Sequence, residues 1–456
     1  MSRTPFRHTA DRFSCFTVPA TVLSRARQPG STVFNQLLPV SALLLSTAFL
    51  LAGNGLHSLL LPLRGSAEGF STVELGLIGT GWAIGFVLGC LAAPHVVRRV
   101  GHTRAFSTSA ASAAIIILLN GIVVVPAAWI VLRGFSGFFL AGAFMTIESW
   151  LNDRATNESR GTIFSLYMTV TYLAIMAGQF VVAASDPGTT VLFMTGAIFF
   201  SLAVLPTGLS NAQSPRPLAQ VKLNLPKLFH KSPIAFVTVL MVGTVNGAFG
   251  TLGPVFGRQI GLSTGLIALM MGITIVCGAL TQLPAGRISD RTDRRYVIAA
   301  AAVGASLCGY ALLILHPVDP VIVLTLTGIY GGLTYPIYGL AVAQANDYAE
   351  PGEFVAVSGG LLLLYGAGTM VGPIAAGVAM TRIGPQALFL VTGLAHTMIA
   401  GYAIYRTFQR APLPTEIREA FQNVPSPRAT TPQTAALDPR SEGRLPVEAD
   451  ELVPAE

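Results

Sequence analysis

The chain has 456 residues, 52% of them hydrophobic and only 11% charged, with a net charge of +7 and a mean hydropathy of +0.63. Soluble domains carry about 25% charged residues, so this composition excludes a fully water-facing surface and puts lipid against much of the chain. The positive balance could suit a nucleic acid, but its placement, given below, serves membrane topology and argues against a nucleic-acid partner.

Residues 1–33 contain five Arg and one Asp and read as a disordered tail, with an organellar transit peptide as the other reading. Apolar runs follow at 37–60, 74–97, 105–125, 127–151, 161–184 and 189–208, then at 233–256, 265–286, 296–316, 321–343, 357–381 and 386–406. Runs of about 20 residues cross about 30 Å of hydrocarbon as helices, and short alternating segments of a β-barrel are missing. Between the sixth and seventh runs, residues 209–231 hold Pro215, Pro217, Pro226 and all three lysines, as a polar linker would. Residues 407–456, rich in Pro, Ala, Thr and acids, read as a disordered C-terminal tail. The expected organisation is a tail (1–33), a six-helix bundle (34–208), a cytoplasmic linker (209–231), a second six-helix bundle (232–406) and a tail (407–456).

With both termini cytoplasmic, 24 of the 28 Lys and Arg fall in cytoplasmic segments. Arg64, Arg258 and Arg382 fall on the other side, and Arg133 lies inside the fourth span. This asymmetry orients the chain with both ends inside. The two halves also repeat. Asn54-Gly55 matches Asn246-Gly247, Pro62 matches Pro254 and Arg99 matches Arg291, all 192 positions apart. Further on, Gly134 matches Gly328 and Asn152-Asp153 matches Asn346-Asp347, 194 apart. Six spans per half give the halves parallel topology, the arrangement of transporters that rock about a midplane site.

The loop after the eighth span, Gly286-Arg-Ile-Ser-Asp290-Arg291-Thr-Asp293-Arg294-Arg295, resembles the gating motif G-x-x-x-D-R-x-G-R-R of the major facilitator superfamily, with Asp293 in place of the second Gly. The matching loop after the second span keeps Gly101 but has Arg98 where the family has Asp. Arg133-Gly-Phe-Ser-Gly137 is similar to the R-x-x-x-G motif of proton-coupled members, while the antiporter G-P motif is missing from the fifth span. Ile147-Glu148-Ser-Trp-Leu-Asn152 and Tyr335-Pro-Ile-Tyr through Asn346-Asp347 resemble the bacterial YcaD-type branch. The resemblance covers about residues 34–406 and implies an all-α membrane protein, twelve transmembrane helices in two parallel-repeat six-helix bundles (the major facilitator fold).

Charges inside the membrane are costly and mark functional candidates. Glu148 and Arg133 are the proton-coupling candidates, and the repeat copies them as Val342 and Thr327, so the scaffold does not demand them. About 22 Å of helix separates the two, so each needs its own partner. Snorkelling of Arg133 to the interface and pairing of Glu148 with a loop arginine are the plainer readings. Asn54, Asn246, Gln179, Gln282 and Tyr338 are candidates for a substrate cavity, with hydrogen-bonded helix packing as the alternative. His57 and His396 read as ordinary polar packing. The family resemblance sets the loop after the second span against the start of the eleventh, and the loop after the eighth against the start of the fifth. It thereby implies a cytoplasmic gate of Arg98, Arg99 and Arg104 facing Asp347, Glu350 and Glu353. The second clamp has Asp290, with Arg291 and Arg294, facing the Arg160 end of the fifth span.

Cys15, Cys90, Cys277 and Cys308 lack metal-ligand spacing, so neither a metal nor any other cofactor is expected. Lys231-Ser232 follows Phe229-His230 rather than glycines, so no phosphate loop is present. An ion gradient or simple facilitation remains. The expected function is secondary active transport of a small organic solute by alternating access, coupled to protons, by a monomer in a bacterial inner membrane. Drug or metabolite efflux and uncoupled facilitation stay open. A non-transporting sensor or scaffold would want a structured tail, and an enzyme would want a cluster of His, acids or a nucleophile in one span.

Overall fold

The computed structural model describes residues 31–156, 159–209, 224–350, 353–409, 421 and 431. The expectations of disorder for 1–30 and for most of 407–456, like residues 210–223 of the expected linker, lie outside the described residues. In the first half the helices are α1 (Ser31–Ala67), α2 (Thr72–Val100), α3 (His102–Ile122), α4 (Pro126–Arg154), α5 (Arg160–Val182), α6 (Val191–Leu202) and α7 (Val204–Leu209). A short α8 (Leu225–Lys231) precedes the second half: α9 (Pro233–Gln259), α10 (Thr264–Arg291), α11 (Arg294–Leu315), α12 (Pro320–Asn346), α13 (Phe354–Ile383) and α14 (Ala387–Gln409). Twelve membrane-crossing helices result, α6 and α7 counting as one interrupted crossing. The interruption at Ala203 has a cause in Pro206, which lacks the N–H that would bond the Leu202 carbonyl four residues back.

The repeat is visible in how helices begin. Ser71 caps α2, its hydroxyl accepting from the Glu74 N–H while Glu74 accepts from the Ser71 N–H at 2.8 Å. Ser263, 192 positions later, caps α10 by accepting from the Leu266 N–H. Pro126 and Pro320, 194 apart, both open helices at positions where a missing N–H costs nothing. The halves differ at one of these turns. Gly101 bridges α2 and α3 at φ +84°, a left-handed backbone that glycine takes without a Cβ penalty. Asp293, its counterpart, sits at φ −68° and caps α11 through its side chain, which accepts from the Arg295 N–H. An aspartate replaces the motif's glycine because the turn itself has changed.

Within the first half α2 packs on α4 and α1 on α5; in the second, α10 packs on α12 and α9 on α13, so the pairing follows the repeat. Two crossings are backbone-close. A Cβ on Gly178 would collide with the Ala52 carbonyl, and one on Gly85 with the Gly134 carbonyl. The halves meet through α2 against α13 and α5 against α10. Call the end carrying α8 the linker end and the opposite one the far end. At the far end Thr72 donates to the Gly377 carbonyl at 2.8 Å and meets Thr381 at 2.6 Å. Deeper in, Thr80 donates to the Met370 carbonyl at 2.7 Å. The two halves are thus laced together at the far end.

The central cavity as candidate functional site

A cavity of about 130 Å³ lies between the halves. Eight helices line it: α1, α2, α4 and α5 from one half and their repeat partners α9, α10, α12 and α13 from the other. Its polar surface comes from Asn54, Ser58, Arg133, Gln179, Thr251 and Thr369, and its flat surface from Trp82, Tyr172 and Tyr335. Of the residues singled out in the sequence, the structure brings Asn54, Gln179 and Arg133 together here. The close α1–α5 crossing sets Asn54 and Gln179 on facing helices of one wall.

Three residues that line the cavity carry a buried polar atom without a hydrogen-bond partner: Asn54 Oδ1 and Gln179 Oε1 on this wall, and Trp82 Nε1 on α2. Buried polar groups are nearly always satisfied, so these three residues stand out among those that line the cavity. Arg133 is held differently. Its guanidinium meets His57 Nδ1 at 3.1 Å. A guanidinium can only donate, so Nδ1 is the acceptor and the ring proton sits on Nε2, which donates to Asn120 Oδ1 at 3.2 Å. Trp82 lies beneath the Arg133 charge, 5.9 Å from ring centre to guanidinium carbon. His57 and Asn120 are both fully buried. His57 is therefore hydrogen-bonded through both ring nitrogens, to Arg133 and to Asn120.

The other candidates sit elsewhere. Asn246 is buried in α9 but does not line the cavity. Tyr338 packs edge-on against Tyr365 with ring centres 5.6 Å apart, and Gln282 lies beside Gly339 between α10 and α12. Glu148 is fully buried toward the linker end of α4, away from the cavity lining. Its carboxylate accepts from the Tyr167 hydroxyl at 3.0 Å and from the Thr431 N–H at 3.1 Å, and Thr431 Oγ1 also bonds it. Thr431 belongs to the stretch read as a disordered tail, yet it is buried. Phe421 of the same stretch seats its ring against Gly286 and Gly339, and its N–H donates to both Asp290 oxygens at 3.0 and 3.1 Å.

The expected gate pairs are not the pairs the structure makes. Asp290 reaches Arg294 at 3.0 Å instead of the Arg160 end of α5. Arg294 also pairs with Asp347 at 2.7 Å. Glu350 and Glu353 take Lys231 at 2.8 and 2.6 Å, and Glu353 also takes Lys227. Arg98 bonds the Pro94 carbonyl of its own turn at 3.2 Å. Among the described residues no ion pair links Arg98, Arg99 or Arg104 to the acids, and Arg291 joins no pair either. The acids find nearer cations inside their own half, because the halves are laced at the far end rather than at this one. Lys227 and Lys231 carry this pairing on α8, which the sequence presented as plain linker. The inverted motif also has an explanation. At the position matching Arg294 the first half has His102, whose ring meets Ser149 at 3.2 Å, so an acid at 98 would lack the arginine that Asp290 uses.

Comparison with known proteins places this architecture. The model of the Major Facilitator Superfamily matches residues 43–344 and 235–439, and the chain belongs to that family of membrane transporters. It is similar to the uncharacterized MFS-type transporter YcaD of Shigella flexneri serotype 5b, 26% identical over 361 residues, covering 77% of this chain and 92% of the relative. YcaD of Escherichia coli O17:K52:H18 is 25% identical over 356 residues with the same coverage, 77% and 92%. Among solved structures the fold resembles the nucleoside transporter NupG, with TM-score 0.68, 15% identity and coverage of 82% and 100%. It also resembles a bacterial homologue of the human lysosomal transporter Spinster in an inward-facing, occupied state, with TM-score 0.69, 13% identity and coverage of 85% and 98%.

Proposed function

We propose that this protein is a secondary transporter that moves a small organic solute by alternating access through the central cavity. The observation that carries this reading is the cavity itself. It is built from matching helices of both repeat halves, and three of the residues lining it carry a buried polar atom without a partner. Rocking of two parallel repeats about such a site exposes it alternately to the two sides. On this reading the linker end is cytoplasmic, 209–231 joins bundles 34–208 and 232–406, and the membrane is the bacterial inner one. The far-end lacing through Thr72 and Thr80 then belongs to the inward-facing state.

Coupling to protons is assigned to Glu148, a fully buried acid that the repeat copy lacks. Its hydroxyl partner Tyr167 is also fully buried. A carboxyl in such a place can alternate between charged and neutral forms as the surrounding helices move. Glu148→Gln imitates the neutral form. In proteoliposomes it should abolish accumulation driven by a pH gradient while leaving solute exchange intact. Undiminished accumulation at equal protein content would remove Glu148 from the mechanism.

A further inference from the structure

We infer that the solute is a small organic monoanion, a carboxylate on a flat body that also carries a hydroxyl or amine. This inference rests on the reading of the cavity as the transport site. The lining offers one cation, Arg133, and no acidic side chain. A guanidinium is permanently charged and forks onto a carboxylate with two parallel N–H donors. Here it is presented rigidly. His57 fixes one edge at 3.1 Å, Asn120 fixes His57, and Trp82 supports the face. A cation held by three buried residues is set for recognition.

The unpartnered atoms complete the pattern. Trp82 Nε1 is a donor beside the arginine and suits the same anionic group. Asn54 Oδ1 and Gln179 Oε1 are acceptors on the α1–α5 wall and call for a donor on the guest. If either amide is turned, it offers N–H₂ instead and suits a hydroxyl oxygen equally. The rest of the lining includes Trp82, Tyr172 and Tyr335 with Ile78, Ile275 and Met271, which suits a flat apolar body. A cationic guest would meet Arg133 with like charge, and a dianion would find only one counter-charge.

The test uses the purified full-length protein and four probes of nearly equal size: benzoate, 4-hydroxybenzoate, benzamide and benzylamine. Binding is read by Trp fluorescence and by thermal shift, since a ligand of the folded state raises apparent stability. The expected order has 4-hydroxybenzoate first, then benzoate, with benzamide and benzylamine weaker by about tenfold or more, as charge-assisted bonds are worth. Arg133→Gln should erase the preference for carboxylate over amide. Gln179→Leu should erase only the advantage of the hydroxyl. Should Arg133→Gln not fold, Trp82→Phe keeps the ring and removes the N–H, and a smaller loss of carboxylate affinity is then expected. Equal binding of benzamide and benzoate, no binding of either carboxylate, or a preference that survives in both variants overturns the inference. Movement across proteoliposomes separates it from the underlying reading. Carboxylate binding without transport would remove the transport reading and leave the anion site, whereas transport without charge preference would do the reverse.

Discussion

At the scale of the residue, the arginine relay makes a sharp demand on Asn120. Without its carbonyl oxygen the buried Nε2–H of His57 has no acceptor. Moving the ring proton to Nδ1 gives no relief, because it would set N–H against the N–H of Arg133. Asn120→Leu should therefore cost about 1–3 kcal/mol, the cost of a buried donor left unmade, and lower the melting temperature in detergent. A melting temperature equal to that of the wild type would mean that the relay does not hold the site. Arg133, Asn54 and Gln179 were legible in the sequence because a polar side chain in an apolar run is costly wherever it sits. Trp82, Tyr172 and Tyr335 were not, since an aromatic facing a cavity looks the same in sequence as one facing lipid. His57 needed its partner: two isolated polar residues 76 positions apart become a pair only when α1 meets α4.

At the scale of the element, α8 is fastened to the start of α13 by Lys227 and Lys231 on Glu353, with Lys231 also on Glu350. These bonds hold the Glu353 carboxyl down to about 2, Lys227 first and Lys231 second, against an ordinary 4.5. A depressed carboxylate contributes stability that is fully present above its ordinary value and is lost as pH falls through the folded one. The attachment of α8 should then be constant from pH 5 to 8 in about that range and weaken progressively from 4.5 toward 2. Hydrogen exchange of the α8 amides after brief acid pulses would follow it; protection that persists at pH 2.5 in Glu353→Gln as in wild type would deny the fastening any role. The sequence showed the long helices through the length of their apolar runs, and the repeat showed their pairing. It concealed α8, because seven residues with a proline in the first turn lack the length to announce a helix. It placed the break in the sixth span no better, since a helix can absorb a proline and only packing decides whether it does.

At the scale of the whole molecule, the lacing of α2 to α13 is one state of the proposed alternating-access cycle. Thr72 and Thr381 touch through their hydroxyls at 2.6 Å. In a background lacking the native cysteines, Thr72→Cys with Thr381→Cys should crosslink on mild oxidation and stop transport, with recovery on reduction. Full transport by the oxidised protein would show that the far end does not have to open. The gate was the least legible part of the sequence for this reason. Complementary charge tells which groups can attract one another, but the packing of the two halves decides which of them come near. A last consequence follows from the seat of Thr431 on Glu148. Thr431 offers its N–H and its hydroxyl to that carboxylate, and a carboxyl that takes up a proton accepts less. Linkage is reciprocal, so if Glu148 loads a proton as proposed, loading must loosen the hold on Thr431, and that hold must hinder loading. On the proposed coupling, a fluorophore placed beside Thr431 should brighten or dim with each proton taken up at Glu148, making this contact a gauge of turnover.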